Sequence, residues 1–327
     1  MDFYYSHART ALKYGLRALG VVPGEELLLP ALICDVVIHP LEELGIVPRY
    51  YPVLPSLQPD WTTLAELLTE KSRSFLLVHF FGQPQDLEMA GVFCRSHGIS
   101  LIEDNAHGYG GSFKGKPLGS FGDFGISSPR KTFGWRNGGV LHWNRETLSS
   151  SPLLPEQPGG WIWRSRSLVK KILFSVEGGH KFFRNMPDYS SQEVGRESPI
   201  PSWGMDPKLA MKMNSKKLDL ERMISRRRAL WELWRGWAIS NGLMPIYETL
   251  DPGANPLAFP VRTRTPEESR QWFRWGWNRG LYVHSWPALP RHVVDNDPLT
   301  LSQWSTMVCF PIGPDMTPEF LISRLGL

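Results

Sequence analysis

The chain of 327 residues is poor in cysteine: Cys34, Cys94 and Cys309 are the three, and they stand far apart. That spacing excludes a disulfide framework and offers no metal-ligand pattern, so a reducing compartment and no metal site are expected. No run of about 18 apolar residues occurs, so no segment is expected to span a bilayer. The opening stretch MDFYYSHARTALK lacks the apolar core of a secretory signal, which makes the cytoplasm the expected location. Internal repeats and low-complexity tracts are absent as well. Charge of one sign is scarce: the net balance is +4. That excess is too diffuse for a nucleic-acid partner but suits small anionic ligands.

What is present reads as a globular protein, with 42% hydrophobic and 21% charged residues. The length suits two domains, or one large and one small. The 14 tryptophans fall mostly after position 130, so the second half should bury or present broad aromatic surface. Ala11, Leu12, Leu16 and Leu19 recur at helical spacing. After it, VPGEELLLPAL and IVPRYYPV read as strands flanking a helical CDVVIHPLEELG. TTLAELLTEK reads as a helix with a threonine cap, and DLEMAGVFCRSHG as an amphipathic helix ending at Gly98. SFLLVHFFG is the continuous apolar run of a strand buried on both faces, and ISLIED follows as a strand. Strands alternating with helices to about residue 105 predict a largely parallel sheet covered on both sides.

Beyond Gly139 the pattern changes. SPLLPEQPGG is expected to be a loop, and the basic tract from Trp161 to Lys181 an amphipathic helix packed on the body, or else a lid or interfacial helix. KLAMKMNSKKLDLERMISRRRALWELWRGWA is expected to form one long spine helix, with Arg226, Arg227 and Arg228 on a solvated face or, less simply, on a substrate diphosphate. The tail holds two strand candidates, PLAFPVRT and GLYVHSWP, with a helical PEESRQWFRWGWNRG between them and TPEFLISRLG closing the chain.

The stretch LIEDNAHGYG ends an apolar strand in two acids, an asparagine and a histidine. Burying such a charge costs several kcal/mol unless it meets a positive partner. In open α/β sheets, ligands lie beyond the carboxyl ends of the strands, and Asp104 stands there. Downstream, Lys131 follows a Ser-Ser-Pro-Arg turn and precedes the pair Gly138 and Gly139. Lys131 and Asp104 together suggest pyridoxal 5'-phosphate: the lysine would hold the aldehyde as a Schiff base, and the carboxylate would keep the pyridine nitrogen protonated. SHARTAL at the first helix would offer a helix N-terminus and hydroxyls to the phosphate. The plainer readings make Asp104 a cap or loop acid and Lys131 a surface residue.

Several motifs in order carry a family resemblance. They are RTALKYGLRALGVVPGEELLLPALICDVV, LIEDNAHGYGGSFKGKPLGSFGDFGISS and KTFGWRNGGVL, with weaker matches at LDLERMISRRR and GLYVHSWPALP. The chain resembles the DegT/DnrJ/EryC1/StrS aminotransferases, strongly over about residues 6–142. The resemblance implies a fold-type-I pyridoxal-phosphate enzyme: an α/β fold with a mostly parallel seven-stranded sheet in a large domain (1–220, residues 151–205 divergent) and a small C-terminal α/β domain (221–327). It further implies a homodimer with active sites at the interface, and transfer of an amino group from glutamate or a similar donor to a nucleotide-linked keto-sugar. Neither nucleic acid nor membrane contact is expected.

Carried over by position, Lys131 becomes the cofactor's lysine and proton shuttle, and Asp104 the partner of the pyridine nitrogen. His107 approaches the phenolic oxygen. Arg9 and Thr10 fall on the phosphate turn, and Ser127 or Ser128 near the phosphate-binding serine. Four positions depart from the pattern. Ile126 stands at the usual serine, Arg9 at the usual threonine, Cys34 at the usual stacking aromatic and Asn137 at the usual glutamate. An arginine could replace lost phosphate donors by a bidentate contact. The segment expected to read N-Y-R is Ile200 to Ser202 here, and the chain is shorter than most members. These departures leave room for two rivals: a cofactor-binding homologue with a regulatory or scaffold role, and a nucleotide-sugar binder without cofactor. Glu103, on the opposite pleat face, should point away from the ring.

Overall fold

Leu76 and Leu77 are both fully buried although they point to opposite faces of the sheet, as expected of an inner strand covered on both sides. The computed structural model describes residues 1–146, 186–193, 196, 203–213 and 219–327. The tract Trp161–Lys181, the loop SPLLPEQPGG and the segment Ile200–Ser202 lie outside the described residues.

In chain order the first part comprises β1 (Asp2–Tyr5), α1 (Ala8–Leu19), β2 (Glu26–Pro30), α2 (Ile38–Leu44), β3 (Val47–Tyr51), α3 (Trp61–Leu64), β4 (Ser72–Val78), α4 (Leu87–His97) and β5 (Ser100–Asn105). A short hairpin of β6 (Ser112–Phe113) and β7 (Lys116–Pro117) follows, then β8 (Phe124–Ser127), α5 (Pro129–Phe133) and β9 (Gly139–Trp143). Seven strands form one sheet in the order β1-β9-β8-β5-β4-β2-β3. The pairs β2–β3, β2–β4, β4–β5 and β5–β8 are parallel. β9 runs against both β8 and β1, so it alone is reversed.

The expected helix TTLAELLTEK is shorter and capped otherwise. It spans Trp61–Leu64 before a single 3-10 turn, and Asp60, not threonine, accepts the Thr62 N–H at 3.2 Å. A carboxylate outcompetes a hydroxyl as cap acceptor. Leu64 is the helix's one buried side chain, too little apolar face to extend it.

The second part holds α6 (Pro207–Met213), the long α7 (Leu220–Ser240), β10 (Met244–Pro245), β11 (Ala258–Arg262), α8 (Pro266–Asn278), α9 (Arg291–Asn296), α10 (Pro298–Ser305), β12 (Met307–Pro311) and α11 (Pro318–Leu325). The expected spine helix therefore does not start at Lys208: α7 begins where the Asp219 carboxylate accepts the Arg222 N–H at 3.0 Å. β10, β11 and β12 form an antiparallel sheet in that order.

GLYVHSWP is not a strand. It contributes one bridge, His284 to Cys309, because the Val283 N–H is taken by the Leu281 carbonyl at 2.7 Å and Pro287 brings no donor. The second main strand is instead MVCFP, β12, whose first four residues are buried. Tryptophans 231, 234 and 237 on α7 pack onto Phe259 and Phe310 of that sheet, joined by Trp272 and Trp275 of α8.

The three consecutive arginines overturn the expected solvated face. Arg227 is fully buried and donates to the carbonyls of Pro256, at 2.7 Å, and Thr132, at 3.1 Å. Arg226 donates to the Pro314 carbonyl, and Arg228 to those of Asp251 and Ala254 at 2.8 and 2.9 Å. The helix lies between the lysine-bearing α5 and the C-terminal loops, whose carbonyls need donors that water cannot bring. These guanidiniums are thus committed to the backbone, not to a diphosphate.

Candidate functional site

The parallel register places the site. Val78, Asp104 and Ile126 are cross-strand neighbours on β4, β5 and β8, and all three line one cavity of about 210 Å³. It sits at the carboxyl ends of those strands, where α/β sheets place their ligands. The period-2 pleat sends Glu103 the other way. Asp104 keeps 6% of its surface, and its Oδ1 accepts the Ala106 N–H at 2.8 Å. Burial pushes its carboxyl above the usual range, partly offset by that bond and by the charge of Lys131. A cation set against Asp104 would relieve the cost.

Glu103 is a structural acid. One oxygen accepts the Phe121 and Gly122 N–H groups at 2.5 and 2.8 Å. The other accepts from Gly119 N–H at 2.8 Å and faces His79 Nε2 at 3.2 Å. Burial raises its pKa, but the His79 hydrogen bond with the Gly122 and Gly119 donors prevails, and the net shift is downward. His79 Nδ1 takes the Gln85 N–H at 3.1 Å, which leaves its proton on Nε2, toward Glu103.

Lys131 lines the cavity from α5, directly after Arg130, which lines it too. His107 lines it from the turn after β5. Its Nδ1 accepts the Phe81 N–H at 3.1 Å, so the neutral ring carries its proton on Nε2. Burial, then the nearby charge of Lys131, keeps this ring well below the usual histidine pKa. It is a fixed neutral donor.

A further part of the wall is built on α1. His7, Ala8 and Arg9 line the cavity at its N-terminus, where His7 forms no side-chain cap and no acid occupies the first turn. Such an end attracts anions. Gly138 and Gly139 explain themselves here. A Cβ on Gly139 would come within 2.2 Å of the His7 backbone, and the Gly138 N–H reaches the Ser6 carbonyl at 2.6 Å, so this pair presses β9 against the start of α1. With Arg9, Arg130 and Lys131 against Asp104, the lining is cationic overall.

The predicted residues divide. Lys131, Asp104, His107, Arg9, Ser128 and Cys34 meet at the cavity. Thr10 and Ser127 do not line it. Thr10 is buried beside the Ser6 hydroxyl at 3.5 Å. Ser127 follows Ile126 by one residue and therefore faces the Glu103 side, where its hydroxyl meets His142 Nε2 at 2.9 Å. Sequence reasoning missed His7, Arg130 and Trp286. The first two adjoin residues it named. Trp286 sat in a segment read as a strand, and nothing local marks it.

A lysine, a buried carboxylate, a neutral imidazole donor and an arginine-bearing helix end converge on one cavity at the carboxyl ends of a seven-stranded, mostly parallel sheet, the architecture of fold type I. Residues 5–159 match the model of the DegT/DnrJ/EryC1/StrS aminotransferase family. It is 30% identical over 149 residues to the GDP-perosamine synthase of Escherichia coli O157:H7, a match covering 44% of this chain and 40% of that protein. It is 29% identical over 143 residues to the pleiotropic regulatory protein of Geobacillus stearothermophilus, covering 42% and 38%. The chain thus spans about two fifths of the curated relatives it matches. The fold extends further: the putative sugar aminotransferase Spr1654 of Streptococcus pneumoniae, in its PMP form, superposes with a TM-score of 0.73 at 16% identity, covering 99% of this chain and 86% of that one. Among the described residues no helix is long and apolar enough to cross a membrane.

Proposed function

We propose that the protein is a pyridoxal-phosphate-dependent aminotransferase that moves an amino group from glutamate or a similar donor to a keto-sugar, nucleotide-linked, within polysaccharide or glycoconjugate synthesis. The observation that carries this reading is the shared cavity of Lys131 and Asp104, with His107 and the α1 N-terminus at its walls. When bound, the cofactor would supply an electron sink for the carbon that loses or gains the amino group. Asp104 would hold a proton on the pyridine nitrogen, which would offset its own burial. The Lys131 amine would anchor the group and carry a proton to and from the reacting carbon. His107 would donate its Nε2–H to an oxygen at the ring, and Arg9, Ser128 and the α1 backbone would take the phosphate. The same reading divides the chain at residue 220, places it in the cytoplasm and pairs it as a homodimer.

A second reading has support in Cys34, which offers no ring, and in the similarity to a regulatory protein: binding of the cofactor without turnover. An absorbance scan separates them. Purified protein supplemented with pyridoxal phosphate should gain a visible band that a Lys131→Ala variant lacks, and glutamate should bleach it. A protein that stays colourless refutes both; a band that glutamate leaves intact favours the second.

A further inference from the structure

We propose that Trp286 forms part of the ligand-binding wall of this cavity: its indole packs against the bound ligand and its Nε1–H, in the plane of the ring, donates to an anionic oxygen of that ligand. This deepens the cofactor reading and rests on it. Trp286 lines the cavity together with Asp104, Lys131 and Cys34 while keeping 3% of its surface. Its Nε1 is buried and has no hydrogen-bond partner among the described residues. Three other indoles of this part are satisfied: Trp234 donates to Pro311, Trp277 to Val283 and Trp304 to Trp286 itself. Trp143 shares the orphan state but lies off the cavity. A buried donor without an acceptor is costly and calls for a partner.

The ring is held rather than loose. Phe81, His107 and Phe80 surround it at 5.3, 5.4 and 5.5 Å between centroids, the first two edge-on. Its carbonyl accepts the Trp304 indole N–H at 2.9 Å, and two residues on, the Ala288 carbonyl accepts the Asp35 N–H at 3.0 Å. That last bond ties the segment to the turn carrying Cys34. The C-terminal part of the chain thus delivers a fixed aromatic to a cavity whose remaining walls include aliphatic Val78, Ile126 and Ile33. A preorganised ring loses little entropy on binding. Beside it stands His107, whose Nε2–H is a second neutral donor, so the wall suits an oxygen that carries charge: the cofactor's phenolic oxygen or a carboxylate of the amino-acid donor.

Wild type, Trp286→Phe and Trp286→Leu, matched for folding by circular dichroism, would be titrated with pyridoxal phosphate and read by absorbance, then with glutamate. Phenylalanine keeps a ring and loses the donor; leucine loses both. Loss of one buried hydrogen bond predicts about tenfold weaker binding. If Trp286→Phe weakens pyridoxal phosphate about tenfold, the acceptor is on the cofactor; if it weakens only the glutamate that discharges the band, the acceptor is the donor's carboxylate. Trp286→Leu should be weaker than Trp286→Phe for the cofactor. As a second reading, the emission difference between wild type and Trp286→Phe should fall when pyridoxal phosphate is added. Wild-type binding with both variants within about twofold, for both ligands, overturns the inference and leaves the cofactor reading intact. A wild-type protein that binds no pyridoxal phosphate overturns both.

Discussion

Replacing Glu103 by glutamine tests whether two adjacent acids have opposite jobs. In the native protein each Glu103 oxygen accepts from two groups: Phe121 and Gly122 N–H on one, Gly119 N–H and His79 Nε2–H on the other. A glutamine can keep its carbonyl oxygen toward the first pair. Its amide nitrogen then faces the second pair, donor against donor. His79 cannot retreat to the other tautomer, because its Nδ1 is held by the Gln85 N–H. Two buried donors left without acceptors at about 1–3 kcal/mol each predict a loss of about 2–6 kcal/mol. Urea unfolding of the ligand-free protein at pH 7, followed by circular dichroism, reads this directly. The pH dependence adds a sign. The folded pKa of Glu103 lies below the ordinary 4.5, so its stabilisation is fully present above that value and is lost as pH falls through the lowered one. Glutamine has no such loss, and the gap between the two proteins should narrow on acidification. A Glu103→Gln protein within about 0.5 kcal/mol of wild type at pH 7, or a gap that does not narrow, would refute the assignment of Glu103 as the clamp of the 119–122 turn.

Asp104→Asn should behave in the opposite way. The folded pKa of Asp104 is raised, so the ligand-free protein loses stability as pH rises from the unfolded value through the folded one. Asparagine removes that loss and can still accept the Ala106 N–H, so the melting temperature at pH 8 should equal or exceed wild type while affinity for pyridoxal phosphate falls; a lower melting temperature contradicts this. Arg227→Lys should cost about 1–3 kcal/mol, since one ammonium lacks the fork that spans the Pro256 and Thr132 carbonyls. Burial lowers the pKa of Arg227 to about 10, so it stays charged at neutral pH, and a thermal melt that does not move would show the latch to be unimportant. Gly139→Ala would force a Cβ into the His7 backbone; it should destabilise the fold by several kcal/mol and weaken phosphate-containing ligands, and wild-type melting would refute the close approach.

The inner parallel strands were legible because they are apolar on both faces and their helices amphipathic, and both patterns are local; the seven-stranded count came with the family resemblance. The site was legible where chemistry is unusual for its place: Asp104 at a strand end, Lys131 before two glycines. Legibility failed where the outcome depended on a partner far along the chain. Ser127 and Ser128 differ by one residue, and the pairing of β8 with β5 and β9 decided which one reaches the cavity. Arg227 looked like a surface charge because only the packing of α7 against α5 brings it to carbonyls 29 and 95 residues away.

The sequence by itself determined the alternation of strands and helices from α1 to β5, the two acids of β5 and the lysine, because side-chain period and local turn chemistry act within a few residues. The tertiary structure alone decided that Glu103 clamps a turn while Asp104 faces the cavity, that three arginines hold backbone carbonyls, and that Trp286 lines the same cavity as Cys34. Those outcomes depend on register and docking between segments remote in the chain, where the cost of an unpaired buried group, and not local propensity, selects the arrangement.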